Sequence, residues 1–131
     1  HSAVIAESGQ LLTFGNGESG RLGHGDTRSV AGPTVVASIR SSVVDVACGW
    51  KHTVCITASG DSSRSLLAFG SNANGQLGVD HVTVSHAPLE LRLPADELAT
   101  SGAPARQLRQ VACGWRFSAV MTGSAVVHNR A

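Results

Sequence analysis

The chain has 131 residues, 42% hydrophobic and 15% charged, with ten Lys and Arg against nine Asp and Glu and a formal net charge of +1. Those proportions exclude a disordered or fibrous polymer, and the balance of charge leaves no basic excess of the kind that nucleic-acid or membrane-surface binding draws on. The longest apolar runs are a few residues, far short of the roughly 20 needed for a helix to cross a bilayer, so no membrane insertion is expected.

Taken in chain order, the first predicted elements are short strands at Ala3–Ala6 and Leu11–Phe14, joined by a turn in which Gly9-Gln10 supplies the positive φ that a tight hairpin requires. A glycine-rich stretch follows, with Gly15, Gly20, Gly23 and Gly25 at places where bulk or a Cβ is not tolerated. Strands are then expected at Pro33–Val36 and Val43–Cys48. From His52 the series begins again, with a turn at Ser59-Gly60 and the glycines repeated at 70, 75 and 78. A helix is defensible only around Ala95–Leu98.

The recurrence is an internal repeat. His1-Ser-Ala-Val-Ile aligns with His52-Thr-Val-Cys-Ile and Phe117-Ser-Ala-Val-Met, and Leu11-Leu-Thr-Phe-Gly15 with Leu66-Leu-Ala-Phe-Gly70. Gly20-Arg-Leu-Gly23 aligns with Gly75-Gln-Leu-Gly78, each glycine run being followed by a proline at Pro33 or Pro88. Val46-Ala-Cys-Gly-Trp50 and Val111-Ala-Cys-Gly-Trp115 close the units. His1 to His52 is 51 residues and His52 to Phe117 is 65. The excess is a four-residue insertion around Asp61–Ser65, rich in Ser, and ten residues within Pro94–Gln107, rich in Ala and Pro, both read as surface loops. The units are 1–51, 52–116 and the opening of a third at 117–131, and because His1 already stands inside a motif the sequence is expected to open within a domain. A repeated unit of four short strands and about 50 residues has the size of a propeller blade.

The cysteines Cys48, Cys55 and Cys113 are odd in number and form no C-x-x-C pair, so they are read as reduced, buried thiols in a reducing compartment rather than as disulfides or zinc ligands.

Two stretches resemble the regulator of chromosome condensation repeats: Gly49-Trp-Lys-His-Thr53 and Phe69-Gly-Ser-Asn-Ala-Asn-Gly-Gln-Leu-Gly78, with Phe14-Gly-Asn-Gly-Glu-Ser-Gly-Arg-Leu-Gly-His-Gly25 almost as close. The resemblance implies an all-β fold of four-stranded antiparallel blades, this segment supplying about two blades of a seven-bladed propeller whose remaining blades are expected from the rest of the chain. It departs at Phe117, which replaces the repeat histidine, and at Pro94–Gln107, which has no counterpart.

Gly15-Asn-Gly17-Glu-Ser-Gly20 matches G-x-G-x-x-G, but Arg-Leu-Gly-His-Gly-Asp follows rather than a helix, so a phosphate site is not expected. The six histidines lack ligand spacing; His1 and His52 are repeat-equivalent and are expected to bond the backbone inside their own blades. Ser118 and Thr53 sit in no nucleophile elbow. No cofactor, metal or catalytic residue is therefore expected. The candidate partner-binding residues are Trp50 and Lys51 with their repeat equivalents Trp115 and Arg116, which put an aromatic beside a cation on adjacent blades.

These features favour an intracellular protein-interaction scaffold, cytoplasmic or nuclear, with an organelle also compatible with the near-neutral charge. The resemblance implies an alternative, guanine nucleotide exchange on a small GTPase, for which Asp96 and Glu97 are the candidate wedge. A further alternative is a dimer of the plant ultraviolet-photoreceptor type, because its tryptophan motifs look like Gly49-Trp-Lys-His-Thr53. Binding of nucleic acid or chromatin by this segment alone is not expected.

Overall fold

The structure, a computed structural model, describes residues 1–61, 63–93, 108–123 and 125–128, the last as backbone only. Among the described residues ten strands run in chain order: β1 (Ser2–Ile5), β2 (Leu11–Gly15), β3 (Val30–Val35), β4 (Ser42–Cys48), β5 (His52–Ala58), β6 (Arg64–Ser71), β7 (Val84–Leu91), β8 (Leu108–Cys113), β9 (Ser118–Thr122) and β10 (Ala125–His128). Among the described residues the helical content is one 3-10 turn, Glu18–Gly20. The expected helix at Ala95–Leu98 lies outside the described residues.

The strands form three antiparallel meanders, β1-β2-β3, β4-β5-β6-β7 and β8-β9-β10. The four-stranded sheet is out of phase with the repeat as counted from His1. It takes its first strand from residues before His52 and its other three from His52 onward. A repeat fixes period but not phase; the phase is set by the tight β4–β5 hairpin, which pairs Cys48 with Thr53.

β3 begins at Val30, three residues earlier than the pattern predicts, and Pro33 lies inside it. Proline has no N–H to give a ladder and is confined to sheet edges. β3 is the outer strand of its sheet, and Pro88 occupies the same situation in β7. Gly9 carries the expected positive φ, 83°, whereas Gly60 does not. The longer second loop closes instead through Asp61, whose Oδ1 accepts from the Ser63 N–H at 3.0 Å and the Ser63 hydroxyl at 2.6 Å, a side-chain closure that requires no left-handed residue.

β5 is buried along nearly its whole length because the central sheet is covered on both faces. Alternation sends Val54 and Ile56, with Leu66 and Ala68 of β6, toward Leu108, Val111 and Val120 of the third sheet. Cys55 and Phe69 point the other way, against Leu11, Val36 and Val43. Each fully buried large side chain contributes about 1.5–3 kcal/mol. The ladder slips between Thr13 and Gly15 and again between Ala68 and Gly70, so the same bulge recurs at the Phe-Gly step of both units. At the second of these steps Phe69 is fully buried, and a Cβ on Gly23 would come within 2.8 Å of its ring.

Candidate interaction site

Trp50-Lys51 and Trp115-Arg116 are the tip residues of the β4–β5 and β8–β9 hairpins. Both tips are closed in the same way, Gly49 N–H donating to His52 C=O at 2.8 Å and Gly114 N–H to Phe117 C=O at 3.0 Å. Glycine is required at both bases, since a Cβ on Gly49 would run into the His52 ring and one on Gly114 into the Phe117 ring.

Besides their apolar filling, the seams between neighbouring sheets each carry a polar clasp. His1 Nε2 lies 2.8 Å from Thr53 Oγ1, whose hydroxyl donates to Arg21 C=O at 2.7 Å. One repeat later, His52 Nε2 lies 2.9 Å from Ser118 Oγ, which donates to Gln76 C=O at 2.7 Å. Each hydroxyl spends its proton on the carbonyl, so each imidazole must donate through Nε2–H. The histidines therefore clasp a hydroxyl of the following sheet; the expectation that they bond backbone within their own blades is corrected. His52 is fully buried and its Nδ1 has no partner. Burial drives its pKa down to about 4, against a weaker opposing contribution from the Phe117 backbone, which keeps the ring neutral. Phe117 keeps the ring-on-glycine packing but brings no N–H.

At the tips the two tryptophans stand edge to face, ring centroids 5.1 Å apart at 86°, and Trp50 N–H donates to Trp115 C=O at 3.3 Å. Lys51 Nζ lies 4.8 Å from the Trp50 ring centroid and the Arg116 guanidinium carbon 5.7 Å from it. Trp50 remains 46% exposed and Trp115 64%. The sequence-derived residues Trp50, Lys51, Trp115 and Arg116 thus converge on one surface; Asp96 and Glu97 lie outside the described residues.

Two further residues shape that surface and were not singled out from sequence. Arg21 is buried, and donates from Nε to Glu18 C=O at 2.7 Å, from Nη1 to Trp50 C=O at 3.0 Å and from Nη2 to the Glu18 carboxylate at 2.9 Å. Glu18 also accepts from Lys51 at 2.7 Å, and Lys51 foremost, with Arg21, holds its carboxyl below the usual range. The available signal was disagreement between the copies, with Ala73 and Gln76 standing where Glu18 and Arg21 stand.

The Gly15–Gly20 stretch has a structural explanation. It leads into a 3-10 turn rather than a helix, and a Cβ on Gly17 would collide with Arg28 C=O. The thiols are held protonated by burial, Cys55 pushed up to about 12 and Cys113 to about 11. Among the described residues no three His, Cys, Asp or Glu side chains gather as a metal site, and no helix is long and apolar enough to cross a membrane.

The regulator of chromosome condensation (RCC1) repeat matches residues 8–56 and 65–121, and a second form of the same repeat matches 43–76. The chain belongs to the RCC1 repeat family. Among RCC1-type relatives it is 37% identical over 122 residues to Protein RCC2 of Homo sapiens, covering 92% of this chain and 21% of that protein. It is 31% identical over 123 residues to the ultraviolet-B receptor UVR8 of Arabidopsis thaliana, covering 93% and 25%. Over 82 residues it is 42% identical to the secretion-regulating guanine nucleotide exchange factor of Mus musculus, covering 62% and 17%. The chain therefore spans about a quarter or less of the relatives it matches. Its fold aligns with a chain of the crystal structure of Kap60 bound to yeast RCC1 (Prp20), at a TM-score of 0.70 and 23% identity, over 92% of this chain and 25% of that one. The three sheets are thus a section of an RCC1-type propeller, one four-stranded blade between two three-stranded sheets.

Proposed function

We propose that the chain works inside the cell as part of a non-enzymatic protein-interaction scaffold, and that its partner face is the surface of hairpin tips bearing Trp50, Lys51, Trp115 and Arg116. The observation carrying this reading is the exposed edge-to-face tryptophan pair, with Lys51 and Arg116 both beside the Trp50 ring. Large aromatics left in water on rigid hairpin tips are the side chains that anchor protein interfaces. The three free thiols suit a reducing compartment. Proximity labelling in cells should lose a defined set of neighbours when Trp50→Ala and Trp115→Ala are combined, with the melting temperature unchanged; an unaltered set would refute the assignment of this face.

A second reading, guanine nucleotide exchange on a small GTPase, is favoured by the likeness to the exchange factor. Exchange involves no covalent chemistry, so it is compatible with a surface lacking a catalytic group. Faster release of a fluorescent guanine nucleotide from any of a panel of small GTPases would replace the passive scaffold by this activity, and Asp96→Asn with Glu97→Gln tests the acidic wedge. The photoreceptor-like dimer draws support from the likeness to UVR8 and from the tryptophan pair. It requires light-driven monomerisation that Trp50→Phe abolishes.

A further inference from the structure

The two hairpin tips differ in one respect that specifies a ligand chemistry. In the first, Lys51 is neutralised within the chain, its Nζ 2.7 Å from Glu18 Oε1. Glu18 lies three residues past Gly15, and the residue three past Gly70 is Ala73. The position that gives Lys51 its carboxylate therefore gives Arg116 a methyl group. Among the described residues Arg116 forms no ion pair, and its guanidinium lies near the Trp50 ring. Gln76, in the place of Arg21, turns its Oε1 back to the Asn74 N–H at 2.8 Å. Arg116 is flanked in sequence by Trp115 and Phe117, 64% and 49% exposed.

Resting on the reading of this face as an interaction surface, we propose that the Trp115–Arg116 tip binds an acidic peptide segment of a partner protein, whose carboxylate takes on Arg116 the place that Glu18 takes on Lys51. An apolar side chain of the same segment packs on Trp115. Among the described residues this pairing is completed in one tip and lacks its acid in the other, and a guanidinium can donate to a carboxylate through two parallel hydrogen bonds that a lysine cannot make.

The test is fluorescence polarisation of the intact protein with a fluorescein-labelled peptide of alternating Glu and Leu, and with the same peptide carrying Gln for Glu. The Glu peptide should bind, with the Gln peptide about tenfold weaker. Arg116→Gln should weaken the Glu peptide by about the same factor. Ala73→Glu, at an exposed position, should do likewise, because it hands Arg116 a carboxylate of its own while leaving the melting temperature unchanged. Equal binding of both peptides, or an Ala73→Glu protein that melts like wild type and binds unchanged, overturns the proposal. So does a single-stranded oligonucleotide that binds more tightly and displaces the peptide, since the surface would then be a phosphate site. Asp96→Asn with Glu97→Gln should leave peptide affinity as it is; a clear gain would mean that the chain's own acidic residues fill the tip, and the proposal fails. Absence of peptide binding while Trp-dependent cellular neighbours persist sinks the acidic-peptide chemistry and leaves the scaffold reading standing; peptide binding without such neighbours does the reverse.

Discussion

Where the first sheet meets the second, the clasp of His1, Thr53 and Arg21 C=O lies beneath an ionic lattice in which Arg21 and Lys51 share Glu18 and Arg21 holds Trp50 C=O. Where the second meets the third, the clasp of His52, Ser118 and Gln76 C=O has the same distances to within 0.1 Å, but no ion pair lies above it among the described residues. The repeat therefore separates two kinds of position. Those that recur join one sheet to the next, through a chain of two hydrogen bonds from imidazole to hydroxyl to carbonyl. Those that differ, Glu18 against Ala73 and Arg21 against Gln76, decide whether a hairpin tip is satisfied by its own chain or left open to another.

The largest effect expected at either seam is the loss of apolar filling in the first. Phe69 is fully buried against Leu11, Val36 and Val43, and Phe69→Ala should cost about 3–5 kcal/mol by chemical denaturation. A loss below about 1 kcal/mol would mean that the seam collapses to fill the space, and that the two sheets are held mainly by their polar clasp. Next in size is the clasp itself. Ser118→Ala strands the His52 Nε2–H and the Gln76 carbonyl in a buried site, costing about 1–3 kcal/mol. Thr53→Val does the same to His1 and Arg21 C=O and should cost less, because the His1 ring is only partly buried and water can reach it. Equal losses would erase the distinction between the seams.

The second clasp should also be the acid-sensitive one. The folded pKa of His52, about 4, lies below its ordinary 6.5, so the unfolded chain binds the proton more readily. The stabilisation is complete above pH 6.5 and is lost progressively as pH falls toward 4. Urea midpoints of wild type and His52→Gln, measured from pH 7.5 down to 4, should converge as the pH falls. Parallel curves would show that the ring is solvated and the clasp open.

Much of this architecture is legible in sequence because it is local. Strand alternation at Val54–Ile56, the edge prolines 33 and 88 and the glycine at 9 each act within a few residues, and repeat equivalence puts Trp50 and Trp115 at the same position of neighbouring units. The clasps were not legible, because a histidine and its hydroxyl lie 52 or 66 residues apart, and nothing in a repeat distinguishes a bond within a blade from one between blades. The blade phase was hidden for a related reason: β4 ends one unit and opens the next, and only the ladder to β5 shows which sheet it joins. Glu18 and Arg21 are not legible as site residues because they sit inside a glycine-rich motif, and their partners Lys51 and Trp50 lie 33 and 29 residues further along the chain.

The smallest expected effect is the most direct probe of the contrast between the tips. Glu18→Gln removes the shared carboxylate while Arg21 keeps its bonds to Glu18 C=O and Trp50 C=O. Glu18 is itself exposed, its Gln replacement keeps an oxygen that can accept from the buried Arg21, and the pair with Lys51 lies at the surface, where ion pairs contribute little, so the melting temperature should hardly move. The change should appear at Trp50 instead. Lys51 is held beside that ring by Glu18, and once released it should let water and quencher reach the indole. In proteins carrying Trp115→Phe, where Trp50 alone emits, Glu18→Gln should raise acrylamide quenching toward the value measured for Trp115 in a Trp50→Phe protein. If quenching of Trp50 is unchanged, the hairpin backbone alone orders the first tip, and the acid on Lys51 is a surface ornament rather than the part that the second tip lacks.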